Sequence, residues 1–423
     1  MAYEYLPRII DSALKDKLSY TGAVLIRGPK WTGKTSTCEQ LAKSALYLRD
    51  PDEYEQNMEL AQTKPSILLR GAQPRLIDEW QVAPVLWDAV VSAIDKSKGE
   101  SGQFLLTGSA TPVDPERIKH TGTGRIARLT MRSMSLYESR ESTGEVSLDA
   151  LFRDEDIGGV SPMDVEDIAR YICRGGWPEA VVKKGSDPTS WARDYLEAII
   201  ESDISEASGI ERNAAKARAL LRSLARCSAQ EASLATIARD MSGDGISMTE
   251  KTVASYINSL KKLFVIEDAP AWAPTLRSKT PLRTSSTWHF TDPSLAAAAL
   301  RANDDSLLGD LSTMGFLFES LCVRDLRIYL DSVGGEVAHY RDKTGLEVDA
   351  IAKRDDGAWG AIEVKLGGEA RIEEAAAHLK KMAAKIDTTK TPAPSFKAVL
   401  TGGKYAYRRD DGVYVVPLAC LRP

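Results

Sequence analysis

Histidine and cysteine are scarce in this chain, with four and five residues among 423. Cys38, Cys173, Cys227, Cys322 and Cys420 stand far apart without a C-x-x-C pair. That excludes a zinc ribbon and a disulfide framework, and reads as reduced thiols in a cytoplasmic protein. His120, His289 and His339 have no metal-ligand spacing and read as structural or surface residues. No apolar run approaches the roughly 20 residues that a membrane helix needs, so no membrane partner is expected. Met1-Ala2-Tyr3-Glu4 lacks the layout of a signal peptide. Aromatic residues make up only 7%, and the eight tryptophans flank predicted elements, which suits a core better than a set of base-stacking platforms. Neither charge sign dominates. The net charge of −5 excludes a chain coated in basic surface but leaves room for a local basic face.

What is present is ordinary for a soluble globular protein of two to four domains: 43% hydrophobic and 27% charged residues. Against that background, Gly28-Pro29-Lys30-Trp31-Thr32-Gly33-Lys34-Thr35 is a complete G-x-x-x-x-G-K-[ST] phosphate loop. It follows the apolar run Ala23–Ile26 and precedes a helical pattern over Ser36–Ala45. Backbone N–H groups of such a turn cradle phosphates at a helix N-terminus. Lys34 would reach the β- and γ-phosphates of ATP, and Thr35 would ligate Mg²⁺.

Downstream, Arg75-Leu76-Ile77-Asp78-Glu79 is an apolar run ending in two carboxylates. Asp-Glu pairs are common on surfaces, but this context fits a Walker B element. Asp78 would hold Mg²⁺ and Glu79 would polarise the attacking water. The run Phe104-Leu105-Leu106-Thr107-Gly108-Ser109 ends in small hydroxyl residues, and Thr107 and Ser109 are both candidates for sensing the γ-phosphate. Arg125, after the turn Gly122-Thr123-Gly124, is a candidate arginine finger for a neighbouring subunit's site, with Arg128 the alternative.

Residues 1–145 alternate short apolar runs with helical patterns, as in an α/β sheet domain with parallel strands. Strands are predicted at 23–26, 66–69, 75–77, 104–106 and 125–130, and helices at 6–18, 36–45 and 86–95. Residues 146–300 are mainly helical. There the helix at 249–260, followed by strand-like runs at 263–267 and 286–290, outlines a winged helix. The stretch from Arg212 to Arg283 holds twelve Lys and Arg against six Asp and Glu. Lys251, Lys261 and Lys262 flank its candidate recognition helix and are the leading DNA-phosphate contacts. Residues 301–423 return to mixed α and β, with a long helix at 315–330 and strands at 337–341, 347–353, 359–365, 398–400 and 413–417. Tyr405, Tyr407, Arg408 and Arg409 are available either to a nucleic-acid backbone or to a polar hairpin.

Taken together, Leu-Ile-Asp-Glu-Trp-Gln (76–81), Leu-Leu-Thr-Gly-Ser-Ala (105–110), Gly-Arg (124–125) and Met-Ser-Leu-Tyr-Glu-Ser (134–139) resemble the prokaryotic AAA-type ATPases with a C-terminal DUF4143 region. Arg-Gly-Gly-Trp-Pro-Glu-Ala (174–180), Ala-Trp-Ala-Pro (271–274) and Phe-Thr-Asp-Pro-Ser-Leu (290–295) extend the resemblance over nearly the whole chain. It implies an AAA+/STAND-like core, a winged-helix region, a nuclease-like C-terminal fold and ring assembly, most commonly hexameric. It also implies that Gly176 and Pro178, in a GxP turn, lie near the adenine. By spacing alone, Gly-Gly-x-Pro is only a tight turn.

In the last third, Asp349 and Glu363 fall on two strand-like runs joined by the turn Asp355-Asp356-Gly357, and Glu363 and Lys365 share one sheet face. Two carboxylates and a lysine so placed would hold a second Mg²⁺, or Mn²⁺, and activate water. Asp349 with Glu363-Val364-Lys365 resembles the PD-(D/E)xK nucleases. Val348 replaces the proline of that pattern, and a conventional polar residue on the following helix is not obvious, although Lys380 and His378 are available. The resemblance adds Glu319, from the preceding helix, as a third carboxylate. The expected function is an ATP-hydrolysing oligomeric motor on DNA, of helicase, translocase or branch-migration type, whose C-terminal domain cuts or clamps DNA. The alternatives are a STAND-like ATP-dependent signalling switch and an ATP-regulated, metal-dependent DNA nuclease.

Overall fold

The computed structural model describes residues 5–109, 121–183, 187–274 and 287–423; Ala110, His120 and Ser286 lie outside them. The chain forms two compact units. The first comprises residues 1–132 with segments 202–211 and 259–264, and the second holds 133–201, 212–258 and 265–423.

The first unit is built on five parallel strands, β1 (Ala23–Arg27), β2 (Ser44–Tyr47), β3 (Arg75–Asp78), β4 (Phe104–Gly108) and β5 (Ile126–Thr130), in the order β2-β3-β4-β1-β5. The central strands β1 and β4 are near-continuous buried runs because both sheet faces are covered there. Ala23 and Leu25 of β1 pack on one face with Trp80, Leu86, Trp87 and Val90, whereas Val24 and Ile26 pack on the other with Leu14, Leu18 and Leu129. The helices are α1 (Ile10–Tyr20), α2 (Lys34–Glu39), α3 (Tyr54–Thr63) and α4 (Val85–Lys96). In such sheets the carboxyl ends of the strands frame the ligand crevice, and the phosphate loop leaves the carboxyl end of β1.

Two local expectations fail here. The run 66–69 is not a strand: Pro65–Ile67 makes one 3₁₀ turn, with Pro65 supplying the fixed φ that opens it. The edge strand is instead Ser44–Tyr47, because the helix after the phosphate loop stops at Glu39 and the chain turns back to pair with β3. Leu41, Ala42 and Ala45 simulate further helical turns in sequence, yet they are partly buried against the core, and pairing with β3 outweighs local propensity.

In the second unit a seven-stranded sheet contains the strands Gly335–Arg341, Glu347–Arg354, Trp359–Lys365, Phe396–Thr401, Tyr414–Pro417, Tyr405–Arg408 and Gly159–Val160, in that spatial order. The first three are antiparallel neighbours. The connection from Trp359–Lys365 to its parallel neighbour Phe396–Thr401 contains the helix Glu369–Ala384. The helices Ala214–Arg226, Leu234–Gly243 and Glu250–Lys262 are followed by the antiparallel pair Ile266–Ala269 and Thr287–Phe290. The expected boundaries at 145 and 300 do not coincide with this division. Val146–Ser147 pairs with Leu421–Arg422, and Gly159–Val160 adds to the C-terminal sheet, so residues 133–201 join the second unit.

A buried ionic knot also binds the middle and C-terminal thirds of the chain together. Asp292, fully buried, accepts from Arg324 Nη1 at 3.0 Å, Ser133 Oγ at 2.6 Å, Ser294 Oγ at 2.6 Å and the Gly176 N–H at 2.9 Å. Arg324 also reaches Asp325 at 2.7 Å, and Asp325 accepts the Leu136 N–H at 3.0 Å. Burial alone would raise both carboxyls. Arg324 and the hydrogen bonds hold Asp292 below the usual range, while Asp325 is pushed up to about 6. Gly176 is required because a Cβ there would stand 2.0 Å from the Met134 carbonyl oxygen. Removing the cation of such a group leaves buried carboxylates unpaired. Arg324→Met is expected to destabilise the second unit by about 3–5 kcal/mol in urea denaturation.

Candidate functional site: a phosphate loop against paired carboxylates

The phosphate loop begins at a position only glycine can fill, since a Cβ on Gly28 (φ 151°) would lie 2.0 Å from the Met131 carbonyl oxygen. Gly33, at φ 91°, turns the chain into α2. The loop is held from within and below: Thr32 Oγ1 donates to the Pro29 carbonyl at 3.0 Å, and Arg8 donates to the carbonyls of Thr32 (2.8 Å) and Arg132 (2.9 Å). Lys34 is 5% exposed, and its Nζ donates to the carbonyls of Gly28 at 3.1 Å and Pro29 at 2.6 Å. Burial draws its ammonium down to about 8, against the opposing pull of Glu79 and Asp78. A desolvated ammonium in a loop of this kind can pair with an anion.

The carboxylates stand at the carboxyl end of β3. Asp78 Oδ1 accepts from Thr35 Oγ1 and from Thr107 Oγ1, each at 2.6 Å. Thr107 Oγ1 in turn accepts the Glu79 N–H at 3.0 Å, so one hydroxyl connects both carboxylate residues to β4. Glu79 sits in the left-handed region at φ 54°. Its Oε2 accepts from Gln81 Nε2 at 2.6 Å and Ser109 Oγ at 3.0 Å, with Arg49 Nε at 3.8 Å. A hydroxyl beside a carboxylate at a phosphate site is the donor set Mg²⁺ uses when phosphate and water complete its shell, so these residues fit the ion.

In the second unit the other carboxylates also meet. Lys365 Nζ lies 2.7 Å from Glu363 Oε2 and 3.3 Å from Asp349 Oδ2, and Asp349 accepts the Val364 N–H at 2.7 Å. Burial and the Asp349 charge push Glu363 up to about 8 and raise Glu319 well above the carboxylate range. Against burial, Asp349 and Glu363 hold the Lys365 ammonium above its ordinary value. Among the described residues no three His, Cys, Asp or Glu side chains converge as metal ligands. With Lys365 bridging the two strand carboxylates, this set does not fit the expected second metal.

Three family models match in succession: AAA domain at residues 20–139, a domain of unknown function (DUF8612) at 165–306 and another (DUF4143) at 314–421. The chain joins an AAA-type P-loop ATPase domain to a C-terminal DUF4143 region. Among solved structures it is similar to a Walker-type ATPase of Pyrococcus abyssi, at 15% identity over 70% of this chain and 96% of that one, with a TM-score of 0.43. The Thermotoga maritima RuvB Holliday junction branch migration motor is 16% identical over 64% and 94%, with a TM-score of 0.25. The Aeropyrum pernix ORC1 protein in complex with DNA is 14% identical over 73% and 97%, with a TM-score of 0.28. No curated protein matches the chain.

Other predicted site residues of the ATPase are more scattered. Arg125 immediately precedes β5 and pairs with Asp95 of its own chain at 2.9 Å, half-exposed. Arg128 lies over the Trp87 ring and donates to the Thr121 carbonyl. Gly176 belongs to the Asp292 knot, and Pro178 opens the short helix Pro178–Val182 in the same unit. Lys251 and Lys262 are exposed on the helix Glu250–Lys262, and Lys261 is half-buried. Arg408 and Arg409 pair with Asp154 and Glu373, which suits the polar-hairpin reading. No helix among the described residues is long and apolar enough to cross a membrane.

Arg8, Arg49, Gln81 and Asp203 were not visible as site residues in sequence. Asp203 pairs with Lys30 of the phosphate loop at 2.8 Å across 173 positions, and Glu206 lies 3.6 Å from Arg49. No spacing rule reaches that far, but Gln81, two residues after Glu79, was open to inspection. Removing the buried cation should empty the cradle. Lys34→Ala is expected to reduce ATP affinity by at least about a hundredfold in a fluorescent-nucleotide titration, given the strength of charge-assisted bonds to phosphate.

Proposed function

We propose that ATP, carrying Mg²⁺ on its phosphates, binds at residues 28–35 and is hydrolysed there, and that turnover drives an oligomeric ring, a hexamer, along DNA. The observation that carries the hydrolytic part is the pair of hydroxyls, Thr35 and Thr107, converging on Asp78 beside the enclosed Lys34. In this reading Lys34 neutralises phosphate charge, Thr35 and Asp78 hold the ion, and Glu79 receives the proton of the attacking water. The ion polarises the phosphoryl oxygens. Thr107 and Ser109 register the γ-phosphate through their bonds to Asp78 and Glu79. A neighbouring subunit's Arg125, released from Asp95, would complete the site, with Arg128 the alternative.

The DNA part is supported by the basic stretch from Arg212 to Arg283 and by the winged-helix outline of three helices and an antiparallel pair. Exposed Lys251 and Lys262 would contact phosphates without reading bases. The C-terminal domain is assigned a clamping role, because Lys365 pairs with both Asp349 and Glu363. Supercoiled or branched DNA incubated with Mg²⁺ or Mn²⁺ should stay intact; cutting that is lost in Asp349→Ala would overturn this assignment.

One observation favours a second reading, a nucleotide-controlled switch. Asp203 and Glu206 lie on a segment distant in sequence and engage Lys30 and Arg49 beside the nucleotide site. Phosphate competing for Lys30 would release that segment. Steady-state ATP hydrolysis with and without single-stranded, duplex and branched DNA separates the two. The motor predicts stimulation by one DNA form. Slow turnover indifferent to every form, with Lys34 still required for binding, would favour the switch.

A further inference from the structure

Gln81 forms one bond at the nucleotide site and leaves another unmade. It lies on the 3₁₀ turn Trp80–Val82, closed by Val82 N–H to the Glu79 carbonyl at 2.9 Å and Ala83 N–H to the Trp80 carbonyl at 3.1 Å. That turn returns its side chain to the residue two positions back, so Nε2 meets Glu79 Oε2 at 2.6 Å. Ser109 Oγ reaches the same oxygen from the end of β4 at 3.0 Å. Among the described residues no hydrogen bond falls on Glu79 Oε1. The carboxylate also dictates which way the amide faces, since a flipped amide would set oxygen against oxygen. Gln81 Oε1 is consequently buried without a partner. Gly108 leaves room for it: a Cβ there would stand 3.0 Å from both Gln81 Oε1 and Trp80 Nε1.

An enclosed acceptor without a donor is unfavourable by roughly 1–3 kcal/mol. Packing alone would be served better by an apolar side chain, so the amide's presence calls for another explanation. We propose that Gln81 is a positioning residue for ATP hydrolysis. With Ser109 it pins Oε2 of Glu79, fixing the carboxylate so that Oε1 is the oxygen presented to water. This rests on the reading of Glu79 as the base. General bases depend on such fixed geometry, and small misplacements are costly.

Gln81→Met, in the full chain, keeps length and volume but removes the donor. Turnover at saturating ATP is expected to fall about ten- to a hundredfold, a share of what a positioned base contributes. ATP affinity, read with a fluorescent nucleotide, should stay within about twofold, and the melting temperature should not fall, because an unmet acceptor is also removed. In a Glu79→Gln background, Gln81→Met should cause no further loss of turnover. Wild-type turnover in Gln81→Met would overturn the positioning role while Glu79→Gln still stalls. Lost nucleotide affinity or a lowered melting temperature would show that Gln81 serves structure instead. Normal turnover in Glu79→Gln would remove the base assignment itself, and this inference with it.

Discussion

One oxygen of Asp78 accepts two threonine hydroxyls, Thr35 from the helix after β1 and Thr107 from β4, and so locks the carboxyl ends of three neighbouring strands into one polar cluster. The geometry of the site depends on this sharing. Thr107 can donate to Asp78 and still accept the Glu79 N–H because a hydroxyl is both donor and acceptor. The Glu79 backbone is thereby held in a left-handed conformation that a non-glycine residue adopts only when its surroundings impose it. That turn carries Gln81 back toward the carboxylate. A valine at 107 would have the right shape and none of this chemistry.

Buried charge serves opposite ends in the two units. Lys34 is desolvated, its Nζ donates to two carbonyl oxygens of the loop, and no carboxylate bonds to it directly among the described residues. Arg324 is equally buried, but two carboxylates saturate it, and Asp292 collects hydrogen bonds from Ser133, Gly176 and Ser294 as well. The first arrangement is a candidate site and the second is a fastening. The motifs at 134–139, 174–180 and 290–295 read as separate signatures in sequence. In the fold, Ser133, Gly176, Asp292 and Ser294 are donors and acceptor of one network.

The acidic set in the C-terminal sheet separates residue adjacency from function. Alternation along a strand places Glu363 and Lys365 on one face, and the intervening turn brings Asp349 beside them, so much of this cluster was legible in the sequence. What alternation does not reveal is how the charges are spent. Lys365 lies between the two carboxylates, and no group of three His, Cys, Asp or Glu side chains converges there among the described residues. Arg408 and Arg409 show the same limit, since available basic side chains turn out to be committed to acidic partners.

The sequence by itself determined the phosphate loop, the acidic end of β3 and the hydroxyl end of β4. Each is a short run in which local periodicity and residue chemistry agree, and a parallel sheet places such ends together. It also determined most elements of the second unit, because long amphipathic helices and alternating strands carry their own signal. Tertiary structure alone decided that residues 44–47 form an edge strand and 66–69 do not, and that the unit boundary falls after Arg132. It alone brought Asp203 to Lys30 and Arg8 beneath the loop. The reason is common to all of these. Edge pairing and long-range ion pairs depend on which distant surfaces meet, and a hydrogen bond across 173 residues leaves no period in the chain that makes it.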